Sequence, residues 1–262
     1  MPGNTSSKRT QKTNCLIEKM GYYLDLSDPD IAHLASLQKH EQTWRQRDIV
    51  RESGAPADLL YVVKSGWCYS YTIMVDGRRQ VLQIHHPGDV IGIPDVAYER
   101  AVTGLQAATD ICLCPFPKNR LDEIFRDSPR LTALIMTLGM MDHVVLLDRI
   151  RTIGRMNADE RVAHFLLEIV SRLRITSSDI TDTFDLPLSQ ELIGDALGLT
   201  NVYVSRTMSL MERAGLIQRM DRAIRICDER ALKDMADFQD RYYRIDTSWF
   251  PGGTAPALEP NT

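Results

Sequence analysis

The sequence predicts an α+β chain with an N-terminal β-roll of the double-stranded β-helix or jelly-roll type. A long helix and a C-terminal winged helix-turn-helix follow. Three observations predict it. Glycines recur at Gly54, Gly66, Gly77 and Gly88, so turns come every 11 or 12 residues through a strand-rich first half, the rhythm of an all-β roll. Ser128-Pro129 and Gly154 bracket a stretch whose apolar residues step by three and four. The run from Leu188 to Ile217, within LPLSQELIGDALGLTNVYVSRTMSLMERAGLI, reads as two short helices joined by a tight turn.

Length and composition set the bounds. The 262 residues have room for two domains, and with 44% hydrophobic and 25% charged residues the chain can bury a core. No uninterrupted apolar run approaches the ~20 residues of a membrane span. The start, MPGNTSSKRTQKTN, lacks the apolar centre of a signal peptide. The expectation is a cytoplasmic chain with no membrane partner. Five scattered cysteines, Cys15, Cys68, Cys112, Cys114 and Cys227, are an odd number and no disulfide framework; buried thiols are expected.

Taken in order, residues 1–20 form a disordered tail, whose first 14 residues carry the cations Lys8, Arg9 and Lys12. The roll domain spans 21–127. Asp28 and Pro29 open a short helix carrying Ile31, Leu34 and Leu37, and strands run from Gln42 to about Pro117. Asp76-Gly77 is a hairpin turn between Trp67-Tyr69-Tyr71-Ile73-Val75 and Val81-Leu82-Gln83-Ile84. The long helix takes 128–154, with Ser128 at its N-cap and Pro129 at its first position. It is expected to stop at Gly154, after about 37 Å. Leu131, Leu134, Leu138, Met141 and Val145 make a heptad-like seam, read as the contact of two copies. Residues 155–235 carry an amphipathic helix from Asn157, the helix pair, and a wing between Gly215-Leu216-Ile217 and Ile224-Arg225-Ile226. Asp228 caps a last helix. Residues 236–262 extend the chain, with a disordered end from Pro251.

The helix pair carries the strongest signal. Ser189 caps the first helix, whose apolar side is Leu192, Ile193 and Leu197. Gly194 sits where the helices cross, and Gly198 supplies the positive φ of the turn. Thr200 caps the second helix, with Val204, Met208 and Met211 buried. An ordinary αα-hairpin needs no small residue, turn glycine and buried valine at this spacing; two helices crossing steeply do. Outward lie Asn201, Val202, Tyr203, Ser205 and Arg206. The formal net charge is −4, yet Thr200–Ile226 holds Arg206, Arg213, Arg219, Arg222 and Arg225 against Glu212 and Asp221. A basic stripe on an acidic chain suits site-specific docking on DNA.

The succession of roll, long helix and winged helix-turn-helix resembles the CRP/FNR family of bacterial transcription regulators, over roughly residues 25–235. The helix pair is close to the family's signature, and YVVKSG followed by PGDVIG resembles the roll of cyclic-nucleotide-binding domains. The resemblance implies a homodimer on an inverted repeat of double-stranded DNA, with an effector in the roll shifting the paired long helices. It implies phosphate contacts from Ser189, Gln190 and Thr200, and base-facing places for Asn201, Val202, Ser205 and Arg206. Val202 stands where much of the family has a glutamate that accepts from cytosine; valine packs instead on a thymine methyl.

The implied effector pocket comprises Gly88, Asp89, Gly92, Ile93, Arg100, Ala101 and Val102. Cyclic-AMP-binding members have a ribose-binding glutamate soon after PGD and an arginine-serine pair for the phosphate. Here Ile93 and Pro94 follow PGDVIG, Ala101 and Val102 hold the pair's place, and Arg100 is one residue off. The expected effector is therefore a small molecule other than cyclic AMP. No cofactor or metal is expected. The family's iron–sulfur branch uses several N-terminal cysteines, whereas only Cys15 precedes Cys68. His85 and His86, adjacent in a strand, point to opposite faces and make no haem site. A competing reading, a ligand-binding regulatory module acting through protein partners, fits the roll but leaves the helix pair unexplained. An enzyme is not expected: the sequence has no P-loop, dinucleotide fingerprint, HExxH or GxSxG. An activator would need a surface for RNA polymerase, which no motif marks.

Overall fold

The computed structural model describes residues 14–177 and 179–252. Two helices come first, α1 (Cys15–Tyr23) and α2 (Asp28–Ser36). Six of the residues expected in a tail, 15–20, thus lie in α1. Its Cys15, Leu16 and Met20 are buried. Lys8, Arg9 and Lys12 lie outside the described residues. Ser27 and Asp30 form a capping box at α2.

Eight strands build the roll: β1 (Gln42–Trp44), β2 (Ile49–Arg51), β3 (Leu59–Ser65), β4 (Cys68–Ile73), β5 (Arg79–His85), β6 (Val90–Ile91), β7 (Gly104–Ala107) and β8 (Ile111–Pro117). They pair as two antiparallel sheets, β1-β8-β3-β6 and β2-β7-β4-β5. Alternation along each strand decides what packs where. Tyr61, Val63, Cys68, Leu105, Ile111 and Leu113 fill the space between the sheets. Leu60, Val62, Cys114 and Phe116 point the other way, onto the flanking helices. The β4–β5 hairpin is closed by Met74 N–H donating to Arg78 O, so three residues form its loop and Gly77 supplies φ +84°.

After α3 (Arg120–Asp127) comes the long helix α4, Pro129–Arg155, 27 residues and about 40 Å. Ser128 caps it as expected, but Gly154 does not stop it; the chain turns extended at Met156. Over one 18-residue window α4 has a mean hydropathy of 1.5; by length and composition alone it is long and apolar enough to cross a membrane. The apolar residues lie on two opposite faces. Leu131 and Leu134 are fully buried against α1, α2 and the roll of the same chain, and Leu138 packs partly on that cluster. Met141 and Val145 are only half-exposed. The expected seam is therefore the inner face. The exposed apolar face carries Met136, Met140, Leu147 and Ile150, which with His143 and Gly154 step by four and three. A heptad pattern reports that a face is apolar, not whose chain covers it.

The C-terminal unit contains α5 (Ala158–Thr176), β9 (Thr183–Asp185), α6 (Gln190–Leu197), α7 (Asn201–Arg213), β10 (Ile217–Arg219), β11 (Ala223–Ile226) and α8 (Glu229–Met235). The wing is a three-stranded sheet, β10-β11-β9, whose third strand was not expected from the sequence. This unit packs on the outer face of the second roll sheet. Trp67, Tyr69, Tyr71, Val81 and Ile84 share one apolar cluster with α5, α6 and α7. Past α8 the chain returns along α4. Arg151 pairs with Asp237 and Arg241 with Asp148, Tyr23 Oη donates to Tyr242 O, and Phe250 is buried in the cluster beside α1. Residues 253–262, most of the expected disordered end, lie outside the described residues.

Candidate nucleic-acid interface

The helix pair is fixed locally by its caps and glycines. Ser189 Oγ accepts from Leu192 N–H at 3.1 Å and Thr200 Oγ1 from Tyr203 N–H at 3.3 Å. Each hydroxyl keeps its own proton free to donate to a phosphate. Gly198 adopts φ +64°. A Cβ on Gly194 would stand 2.5 Å from Leu199 O, so the constraint there is the turn's backbone, ahead of the crossing itself.

The second helix is then held from behind. Val204, Thr207, Met208 and Met211 are buried, and Thr207 Oγ1 donates to Asp159 Oδ1 at 2.8 Å, tying α7 to the start of α5. That bond has no signature in the sequence. Asn201, Val202, Tyr203 and Arg206 stand exposed on one face with Ser205 half-buried among them, and Ser189 and Gln190 are exposed at the head of α6. Val202 is 71% exposed, a large solvated apolar surface on an otherwise polar helix face. Among the described residues Arg206 makes no ion pair. The arginine stripe is thinner than the sequence suggests: Arg219 is held by Glu212 and Arg225 by Asp182. Arg206, Arg213 and Arg222 remain unpaired among the described residues. Asp195 on α6 is bonded by Arg79 and Gln80 of β5, which leaves the outward face of α7 clear of the roll.

A rigid helix with an unpaired guanidinium, a carboxamide, a phenol and an exposed methyl pair on one face is built to read base edges. Comparison with known proteins agrees. Residues 160–235 match the model of the Crp-like helix-turn-helix domain, and residues 41–128 that of the cyclic nucleotide-binding domain. Electron transport regulator A of Shewanella oneidensis is 31% identical over 215 residues, covering 81% of this chain and 82% of that protein. The chain belongs to the CRP/FNR family of transcription regulators. Transcriptional activator protein FnrL of Cereibacter sphaeroides is 31% identical over 196 residues, 72% of this chain and 77% of its own. The solved structure of FixK2 from Bradyrhizobium japonicum is 30% identical, with a TM-score of 0.66 over 74% of this chain and 96% of that one. These relatives are regulators of transcription rather than enzymes.

In this CRP/FNR chain the expected effector residues divide: Gly88 and Asp89 engage α1 and α5, whereas Gly92 and Val102 both bond Asp95. Gly88 (φ +90°) sits where a Cβ would meet Cys15 O at 2.7 Å, so it seats α1. Asp89 is a buried charge hub. It accepts from Lys19 Nζ and Arg172 Nη2 at 2.6 Å each and from His86 N–H at 2.9 Å. Burial works to raise its carboxyl, but Lys19 and Arg172 hold it well below the usual carboxylate range. The PGD aspartate thus joins the roll to α1 and α5. Gly92 turns at φ +97°, and Ile93 packs toward the flanking helices. Arg100 is exposed and donates to Gly54 O, Ala101 exchanges backbone bonds with Gly54 and Ala55, and Val102 N–H donates to Asp95, whose own N–H donates to Gly92 O.

What occupies the buried end of the roll is a pair the sequence did not single out, Arg51 and Asp95, 2.6 Å apart and both nearly solvent-free. The carboxylate that follows Gly92, Asp95, is held by Arg51 and by Val102 N–H, and Arg100 donates to Gly54 O. Among the described residues no group of three metal-ligating side chains forms. His85 bonds Ser70 at 2.7 Å, His86 faces Trp67, and Cys15, Cys68, Cys112 and Cys114 are buried, while Cys227 is exposed.

Proposed function

We propose that this chain acts as a homodimer in the cytoplasm and binds an inverted-repeat operator, with one α7 in each of two successive major grooves. The supporting observation is the readout face: Asn201, Val202, Tyr203, Ser205 and Arg206 on a capped, back-packed helix with Arg206 unpaired among the described residues. Arg206 reads guanine through O6 and N7, and Val202 favours a thymine methyl where a carboxylate would favour cytosine. Ser189, Gln190 and Thr200 contact phosphates. The two chains meet through the outer face of α4, from Met136 to Ile150. That face places the paired helices between the two DNA-binding units. Control is by a small effector other than cyclic AMP, and RNA polymerase is a partner where the chain activates transcription, the role that the name of its Cereibacter relative, transcriptional activator protein, gives to that protein.

Selection of the purified protein on random duplex DNA tests this. Enrichment of two inverted half-sites with centres about 10 base pairs apart is the expected result. A retained pool without symmetry would end the dimeric reading. A pool without any preference would end site-specific binding.

A further inference from the structure

The exposed face of α4 is apolar except at its centre. Met136, Met140, Leu147 and Ile150 are 53–68% exposed, and Val144 and Leu146 widen the stripe. His143 stands exposed midway along it. From Met136 through Met140, His143 and Leu147 to Ile150 the steps alternate four and three, so His143 holds a seam position rather than a flanking one. We propose that this imidazole makes the pairing of two chains pH-dependent: neutral, it packs on its counterpart in the second copy, and protonated, it drives the copies apart.

The inference rests on the dimeric reading. Two DNA-binding units that enter successive grooves of one duplex hang from the same end of both long helices. The helices then run parallel about a two-fold axis. In a parallel pair each seam layer is made of one residue and its own copy, so His143 meets His143. Among the described residues His143 makes no hydrogen bond or ion pair, and the charges around it are engaged elsewhere. Asp142 lies one residue back, a turn of about 100° away from the seam, in the wall of a cavity shared with Lys19 and Arg172. Asp148 is held by Arg241, Arg149 by Glu168 and Arg151 by Asp237. The roll reaches this half of α4 through Leu82 O, a neutral acceptor bonded by Arg149. By symmetry the second copy presents the same apolar side chains and the same imidazole.

In the single chain water solvates His143 in either form. In the pair the two imidazoles lie between the Met140 and Leu147 layers, where a charged ring loses its hydration and faces a like charge. Pairing therefore expels protons. The dimer binds fewer protons than two separate chains, so it is strongest at neutral and higher pH and weakens as pH falls. Imidazole is the side chain whose charge changes between pH 5 and 8, which sets the window. With one proton per chain, the dissociation constant rises by at most about 100-fold per pH unit. Two other histidines stay out of this window: burial lowers His85 to about 3 and His86 to about 4. A single polar layer in an apolar seam weakens the pair, and here it makes that pair responsive.

Sedimentation of the full-length protein without DNA, over a dilution series at pH 7.5 and at pH 5.5 in the same salt, tests this. The parent should dimerise at pH 7.5 and dissociate at least about 10-fold more readily at pH 5.5. His143→Leu should dimerise at both values with less than about a 3-fold change, since the seam then lacks its titrating layer. His143→Lys, charged throughout, should pair weakly at both. Position 143 is exposed in the single chain, so both variants should keep the parent's circular dichroism and melting point as monomers. A parent dimer undiminished at pH 5.5 across the series would overturn the proposal and leave the dimer standing. So would a His143→Leu variant as pH-sensitive as the parent, or a His143→Lys variant as tight as His143→Leu. A parent monomeric at pH 7.5 would overturn both the proposal and the dimeric reading.

Discussion

Replacing Asp89 by asparagine removes one negative charge from between two cations while leaving an oxygen to accept from His86 N–H. The Asp89 side chain is 9% exposed, as is that of Arg172, whereas Lys19 is 18% exposed and partly able to move to water. Removing one partner of a buried ion pair costs about 3–5 kcal/mol, because the remaining charge stays desolvated. With Lys19 partly relieved, the expected loss is about 3 kcal/mol at pH 7. At ~2–4 °C per kcal/mol for a chain of this size, that is a melting point lower by roughly 6–12 °C. The sign of the pH dependence follows from the depressed carboxyl. Its contribution is complete above the ordinary aspartate value of about 4 and is lost as pH falls through the lower folded value. Urea titrations of parent and variant should therefore differ most at neutral pH and converge in acid. A gap under about 1 kcal/mol at pH 7, or one that fails to narrow in acid, would refute the hub. A triple Lys19→Met, Asp89→Asn, Arg172→Met variant should recover most of the loss, since neither cation is left beside the neutral side chain and the asparagine oxygen still accepts from His86 N–H.

Arg206→Ala should cost about 1–3 kcal/mol at one base of each half-site, read by competition binding with single-base operator variants. Arg219→Ala, whose guanidinium is held by Glu212, should leave base preference unchanged. Ile150→Glu on the outer face of α4 should yield monomers by sedimentation. Leu134→Ala on the inner face should instead lower stability by about 2–5 kcal/mol with the assembly state intact. Gly194→Ala should destabilise the helix pair by about 1–3 kcal/mol, because its Cβ meets a backbone carbonyl rather than a side chain that can move. A thiol reagent should label Cys227 in the native protein and reach Cys68 only on unfolding, since Cys68 is fully buried and burial pushes its thiol well up.

The DNA-binding element was legible because its constraints are local. The caps at Ser189 and Thr200, the positive φ of Gly198 and the buried Val204 each involve partners within a few residues, so spacing alone carries them. The roll was legible for a similar reason: its turns need glycine at regular intervals. The place of Asp89 was not. Asp89 stands in a motif shared with ligand-binding rolls, but its partners, Lys19 and Arg172, are 70 and 83 residues away. The Arg51–Asp95 pair is equally non-local and has no pattern to announce it.

The long helix marks the division most clearly. Its position, length and N-cap follow from Ser128-Pro129 and the apolar periodicity, because a helix of L-residues has one geometry. Which side of it faces its own chain does not follow. Both sides are apolar, and only the packing of α1, α2 and the roll against Leu131 and Leu134 leaves Met136, Met140, Leu147 and Ile150 outside. The tyrosines of β4 tell the same story. Alternation predicted a strand with one apolar face, and the winged unit docked on Tyr69 and Tyr71 turned that face into an interior. Local sterics and hydrogen bonding are written residue by residue in the sequence. The partner of a buried surface is chosen by the whole chain at once, through the free energy of removing that surface from water.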